Sequence, residues 1–180
     1  MSVQADYARF FGRELATVRD QLLAYPDNSS VWVLPNGLPN SAGTLALHIA
    51  GNLRWFIGAQ LGGSGYVRDR DAEFASRDVD RAELVRKIEA AADEVTRALA
   101  TLDDARLDEP FPLEVAGVRL PTGRMIGHLA VHLGYHLGQM DYHRRIVTGV
   151  NKSLGALAPA RHPGVCRSCC AGAVCRGVSG

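Results

Sequence analysis

Residues 127–145 read GHLAVHLGYHLGQMDYHRR and hold four of the six histidines in the chain. His128, His132 and His136 recur at intervals of four, and His143 follows His136 by seven. An α-helix advances about 100° per residue, so His128, Gln139, His132, His143 and His136 share one stripe about 80° wide. Leu129, Leu133 and Met140 run along one edge of it, Tyr135 and Tyr142 along the other. A core-facing stripe is ordinarily aliphatic. Here its middle is imidazole and amide, and its aliphatic edge makes it partly interior. Such a helix needs partners, and the segments that share its period set the fold.

Three other stretches share it. The first runs from about Ala5 to Ala24, with Tyr7, Phe10, Phe11, Leu15, Val18, Leu22 and Leu23 as its apolar face. YPDNSS ends it, and the Pro/Gly/Asn-rich VWVLPNGLPNSAG reads as a long loop. The second begins at Asn40 or Ser41, either of which can cap it, and continues to the GGSG break. YVRDRDAEFASRDVD then reads as a charged loop, with Asp80 and Glu83 as the N-terminal cap of the third helix, RAELVRKIEAAADEVTRALATL. PLEV, Ala-Gly and VRL predict a short hairpin, although Ala-Gly is not a favoured turn pair. Thr122 is expected to cap the last helix, which stops at Gly149. The fold class is all-α: a four-helix bundle with long connecting loops, a short β-hairpin before the last helix and an irregular C-terminal tail.

One bundle domain is expected over 1–150 and a poorly structured tail over 151–180. The 180 residues suffice for one core, with 47% apolar and 22% charged residues. Twenty basic and 19 acidic residues leave a net charge of +1, which excludes a nucleic-acid or anionic-membrane footprint. No apolar run approaches the roughly 20 residues of a membrane span. The acidic start lacks an apolar targeting core, and no cysteine occurs before Cys166. Together these predict a cytoplasmic protein.

The second helix supplies a counterpart to the histidine stripe. His48 stands alone on an apolar face, with Asn52 one turn further on. Two imidazoles at i and i+4 plus one from a facing helix form a facial set of three neutral nitrogens. Such a set leaves coordination positions open, as catalytic rather than structural sites do. Zinc, nickel, copper and iron all suit imidazole. Asn52 and Gln139 are the amides expected to hold a ring N–H or a bound water around the site. Periodicity alone allows either His128 with His132 or His132 with His136.

LALHIAGNLRWFIGAQLGG, YVRDRDAEF and HLAVHLGYHLGQMDYHRR resemble the DinB/YfiT-like superfamily of small metal-binding four-helix bundles, over roughly residues 3–150. The wording is closest to an uncharacterised DinB-like branch. The resemblance implies one metal histidine on the second helix and two ligands four apart on the last, just before Gly138-Gln139. By position these are His48, His132 and His136, with His128 spare and His143 too far along the axis, meeting a carboxylate or water. It further implies thiol-dependent chemistry, in which a divalent zinc, nickel or iron ion lowers the pKa of a low-molecular-weight thiol to give a nucleophile. A small-molecule substrate and a homodimer are implied in the same way.

Three functions follow for this site. The leading one is transfer of a small thiol to an electrophile; the others are metal-dependent hydrolysis and a non-catalytic metal-binding stress protein. Arg68 or Arg70 can bind an anionic substrate group or make local ion pairs in a solvated loop. Trp32 can wall a pocket or plug the bundle. Cys166, Cys169, Cys170 and Cys175 match no common zinc module and read as adventitious thiols in the tail.

Overall fold

The structure, a computed structural model, describes residues 2–155. Six α-helices follow in chain order: α1 Val3–Leu23, α2 Asn28–Trp32, α3 Ala42–Leu53, α4 Arg70–Ala75, α5 Arg81–Ala100 and α6 Thr122–Thr148. Four of them, α1, α3, α5 and α6, form the expected bundle. α1 packs on α5 and α6, and α3 packs on the same two, so α1 and α3 sit diagonally. Phe11, Leu15 and Val18 from α1 meet Ile49, Leu53, Leu84, Ile88, Leu129 and Leu133 in a core sealed from solvent. No helix among the described residues is long and apolar enough to cross a membrane.

The caps follow from local chemistry. Ser41 Oγ accepts from Thr44 N at 3.1 Å and starts α3, and Asp80 accepts from Ala82 N at 2.7 Å and starts α5. Glu83 does not complete a reciprocal box; it pairs with Arg86 and Lys87 instead. Thr122 does not cap α6 either. Its N–H and hydroxyl both donate to the Glu109 carbonyl, at 2.8 and 3.0 Å, which ties the incoming loop to the first turn. Gly149 ends α6 in the left-handed region, φ 70°, where glycine carries no Cβ penalty.

Two loops contain helices that periodicity over so few residues could not show. Asp27 accepts from Ser30 N in a capping box that starts α2, and Asp69 accepts from Ala72 N to start α4. α4 lies against α3. The predicted hairpin is reduced to a two-residue turn between Val115 and Val118, with positive φ at Ala116 and Gly117, and one further bridge at Pro110–Pro121.

The helix that begins as α3 changes type midway. After Leu53 it widens into a π-helical segment, Arg54–Ala59, with Gln60 N bonding Trp55 O and Gly62 N bonding Ile57 O. A π turn breaks the 3.6-residue period, so the face that carries His48 and Asn52 is not continued regularly beyond Leu53. The widened end lies against α5, where a Cβ on Gly62 would come within 2.7 Å of Ala98 Cβ. Trp32 plugs this architecture: its ring covers Gly43, and its N–H donates to Val79 O at 3.1 Å.

At the other end, Arg144 and Asp141 hold residues 152–154 against α6 through Lys152 O, Ser153 Oγ and Leu154 N. The four cysteines and the rest of the expected tail lie outside the described residues.

Candidate metal centre

α3 is buried along its whole length, and His48 sits in its middle, facing α6. His132 and His136, one turn apart on α6, are half-buried. The packing of α3 on α6 brings the three rings together at their Nε2 atoms. His48 Nε2 lies 3.3 Å from His132 Nε2, and His136 Nε2 lies 3.1 Å from the same atom. The His48 and His136 ring centroids are 4.9 Å apart.

The outer nitrogens decide what the inner ones can do. His136 Nδ1 donates to Gln139 Oε1 at 2.7 Å. His48 Nδ1 lies 3.0 Å from Glu73 Oε2, and a carboxylate can only accept there. Arg68 Nη2 also lies 3.3 Å from His48 Nδ1, but it is closer to Glu73 Oε2, at 2.7 Å, so the carboxylate is the nearer partner of both. With both protons on Nδ1, both Nε2 lone pairs point inward at His132. Burial of Glu73 pushes its carboxyl up, but hydrogen bonds from Arg68 and His48 outweigh this and keep it below the usual range. Burial drives His132 down to about 4, with the neighbouring His136 and His48 adding to the effect. Burial lowers His136 as well, against the opposing Gln139 bond. At neutral pH, His132 and His136 are therefore neutral imidazoles.

His132 Nε2 answers them in one of two ways: with its own proton there it donates to one of the two lone pairs, and with that proton on Nδ1 it completes a set of three converging lone pairs suited to a cation. The spacing suits a metal: two nitrogens bound at about 2.0–2.1 Å and at a tetrahedral angle lie about 3.3 Å apart. His48, His132 and His136 together form a group that could hold a metal ion. A sequence model of the DinB superfamily matches residues 12–140. The chain belongs to the DinB superfamily. A comparison with curated proteins and one with solved structures returned no match.

Within this DinB fold, His128 stands apart from the cluster, exposed and with its ring 6.4 Å from that of His132. Gln139 lies against the His136 ring. Asn52 is buried and bonds to none of the three imidazoles; its Oδ1 has no hydrogen-bond partner among the described residues. Both ring nitrogens of His143 are taken, and neither by a carboxylate. It sits between Tyr25 Oη at 2.7 Å and Val33 O at 2.8 Å. Arg70 stacks over the Phe74 ring at 4.9 Å.

Glu73 escaped the sequence reading, and Arg68 proves committed to it. Arg68 Nε reaches Glu73 Oε1 and Arg68 Nη2 reaches Oε2, both at 2.7 Å. This pair lies behind His48, on the side away from α6. Phe74 flanks His48 at 5.0 Å between centroids, and exposed Tyr135 meets His136 edge-on at 5.2 Å. The cluster lies towards the surface beside Tyr135. Two apolar clefts, about 540 and 410 Å³, run along α6; Leu137 lines the first, and Gln139 and Ile146 line the second.

Proposed function

We propose that this DinB-superfamily protein is a metal-dependent enzyme that joins a small thiol to a small electrophilic substrate, with His48, His132 and His136 as the metal ligands. The convergence of three Nε2 atoms, two with their lone pairs fixed inward, carries this reading. A divalent zinc, nickel or iron ion held there supplies Lewis acidity, which lowers the pKa of a thiol or water beside it. Three ligands leave positions for such a nucleophile, and the half-exposure of His132 and His136 admits it. Glu73 is committed to Arg68 and His48, so its carboxylate is not available as a general base. Gln139 and Glu73 keep the two rings from turning; Phe74 and Tyr135 give the site an aromatic border.

A homodimer and a cytoplasmic setting belong to the same reading. Val131, Tyr135, Tyr142 and Ile146 present exposed apolar surface on α6, which supports self-association. Reduced thiols are kept available in the cytoplasm. Sedimentation of the protein gives its mass in solution, and a monomer at micromolar concentration removes the dimer.

The test of function is conjugation of a chromogenic electrophile by zinc- or nickel-loaded protein, with cysteine, bacillithiol or mycothiol and with no thiol added. Thiol-dependent turnover that disappears in His136→Ala supports transfer. Turnover without thiol replaces it with hydrolysis. No turnover in any arm, with metal still raising the melting temperature, leaves a metal-binding protein without catalysis.

A further inference from the structure

Glu73 and Arg68 are separated from His48 by a loop and a helix, yet they occupy the space behind its ring, and α3 leaves a slot there. Gly51 lies one turn after His48 on α3, in mid-helix, where glycine costs about 1 kcal/mol relative to alanine. A Cβ at this position would stand 2.0 Å from Glu73 Oε1 and 2.7 Å from its Cδ. A side chain fits here only if the carboxylate shifts. Glu73 is only 6% exposed, capped on its outer side by the two-pronged Arg68 contact. Its Oε2 receives both Arg68 Nη2 and His48 Nδ1.

We infer that Arg68, Glu73 and Gly51 form a positioning device that fixes the proton of His48 on Nδ1 and so presents Nε2 as a lone-pair donor to the centre. The inference rests on the metal-site reading for its purpose, but its geometry stands without a metal. Arg68 keeps Glu73 an acceptor, because a guanidinium can only donate. Arg68 Nη2 stands 3.3 Å from Nδ1, but its short bond, 2.7 Å, goes to Glu73 Oε2, which leaves the carboxylate as the nearer partner of the ring at 3.0 Å. A ring that donates to that acceptor has its free lone pair on the opposite nitrogen. Outer partners of this kind orient metal-bound histidines and typically contribute 10–100-fold to metal affinity. The α4 cap serves this device. Asp69 starts the single helix that carries Glu73, one residue after Arg68.

Glu73→Gln keeps the shape and sharpens the consequence. Arg68 donates to both oxygen positions, so the amide satisfies only one of its N–H groups; with the amide oxygen on Arg68 Nε, the NH₂ takes the Oε2 position and faces His48 Nδ1, and the imidazole accepts there, moving its proton to Nε2. Gly51→Ala reaches the same end by displacing the carboxylate.

Long-range ¹H–¹⁵N NMR on the full chain after chelation reads the His48 tautomer directly, and a competitive zinc titration reads affinity. Wild type should show the Nδ1–H tautomer of His48. Glu73→Gln should shift it towards Nε2–H and weaken zinc binding about 10–100-fold. Gly51→Ala should do the same wherever it folds, and Glu73→Gln decides the matter if it does not. An unchanged tautomer with zinc affinity within twofold of wild type overturns the inference. If wild type takes up no zinc, the proposed metal site fails, and the tautomer alone still decides for or against the device.

Discussion

α6 carries two polar clusters about two turns apart, and both contain histidine. At its middle, His132 and His136 face His48. Nearer its C-terminus, His143 is 1% exposed and Arg144 is 2% exposed. The second cluster is closed. Burial raises the Tyr25 phenol, so it stays protonated and donates to His143 Nδ1, while His143 Nε2–H donates to Val33 O. Arg144 donates to Gln21 Oε1, Asp141 Oδ1 and Lys152 O. The first cluster carries its protons on the other nitrogen, Nδ1, in both His48 and His136. Its inner nitrogens meet only each other. The same side chain on the same helix is a structural hydrogen-bond relay in one place and a converging donor set in the other, and the outer partner of each ring makes the difference.

That contrast can be broken most severely at the closed cluster. Arg144→Ala leaves buried Asp141 with only the longer contact to Arg145, at 3.8 Å, and breaking a buried pair of this kind costs about 3–5 kcal/mol. Urea unfolding should show that loss while zinc stoichiometry stays as in wild type. His143→Leu should cost less, about 1–3 kcal/mol, since it orphans the Tyr25 hydroxyl and the Val33 carbonyl. Zinc affinity should again be unchanged. If His143→Leu instead abolished zinc binding, the division into two clusters would be wrong.

A smaller effect appears in pH. Burial holds His143 below its ordinary range, against the opposing Val33 bond. The unfolded chain therefore takes up a proton first as pH falls. The associated stability is complete above about pH 6.5 and declines towards the lowered folded value. Asp141 acts further down. Burial raises it, but bonds from Gln21, Leu154 and Arg144 outweigh that and leave it lowered. Its contribution is present above about pH 4 and is lost as pH falls through the folded value. Melting temperatures of chelated protein should therefore fall from pH 7 to 5, and His143→Leu should remove only part of that slope, because His132 and His136 are lowered too. Asp141→Asn should flatten the acid limb alone.

Much of the bundle was legible because it depends on local periodicity and caps: the four long helices, the Ser41 and Asp80 caps, and the stop at Gly149. His48, His132, His136 and Gln139 were legible for the same reason, since a shared helix face can be read from spacing. Choosing His132 with His136 over His128 took the family resemblance, and the helix packing then left His128 outside. Glu73 was not legible. It lies 25 residues from its partner in a charged stretch whose ordinary reading is solvation, and only the folding of α4 against α3 buries it. The one local hint was a glycine three residues after His48. The π-helical turn was hidden too, since it depends on how α3 meets α5. Asn52 shared the right face but reaches none of the imidazoles.

The open cluster is the centre of the account, and its metal content is the most direct measurement of it. Mass spectrometry of untagged protein, after exposure to zinc, nickel and iron in turn, should find close to one ion per chain, lost in both His48→Ala and His136→Ala and retained in His143→Leu. Wild-type protein that takes up none of the three, or a His48→Ala variant that holds metal as wild type does, would contradict it.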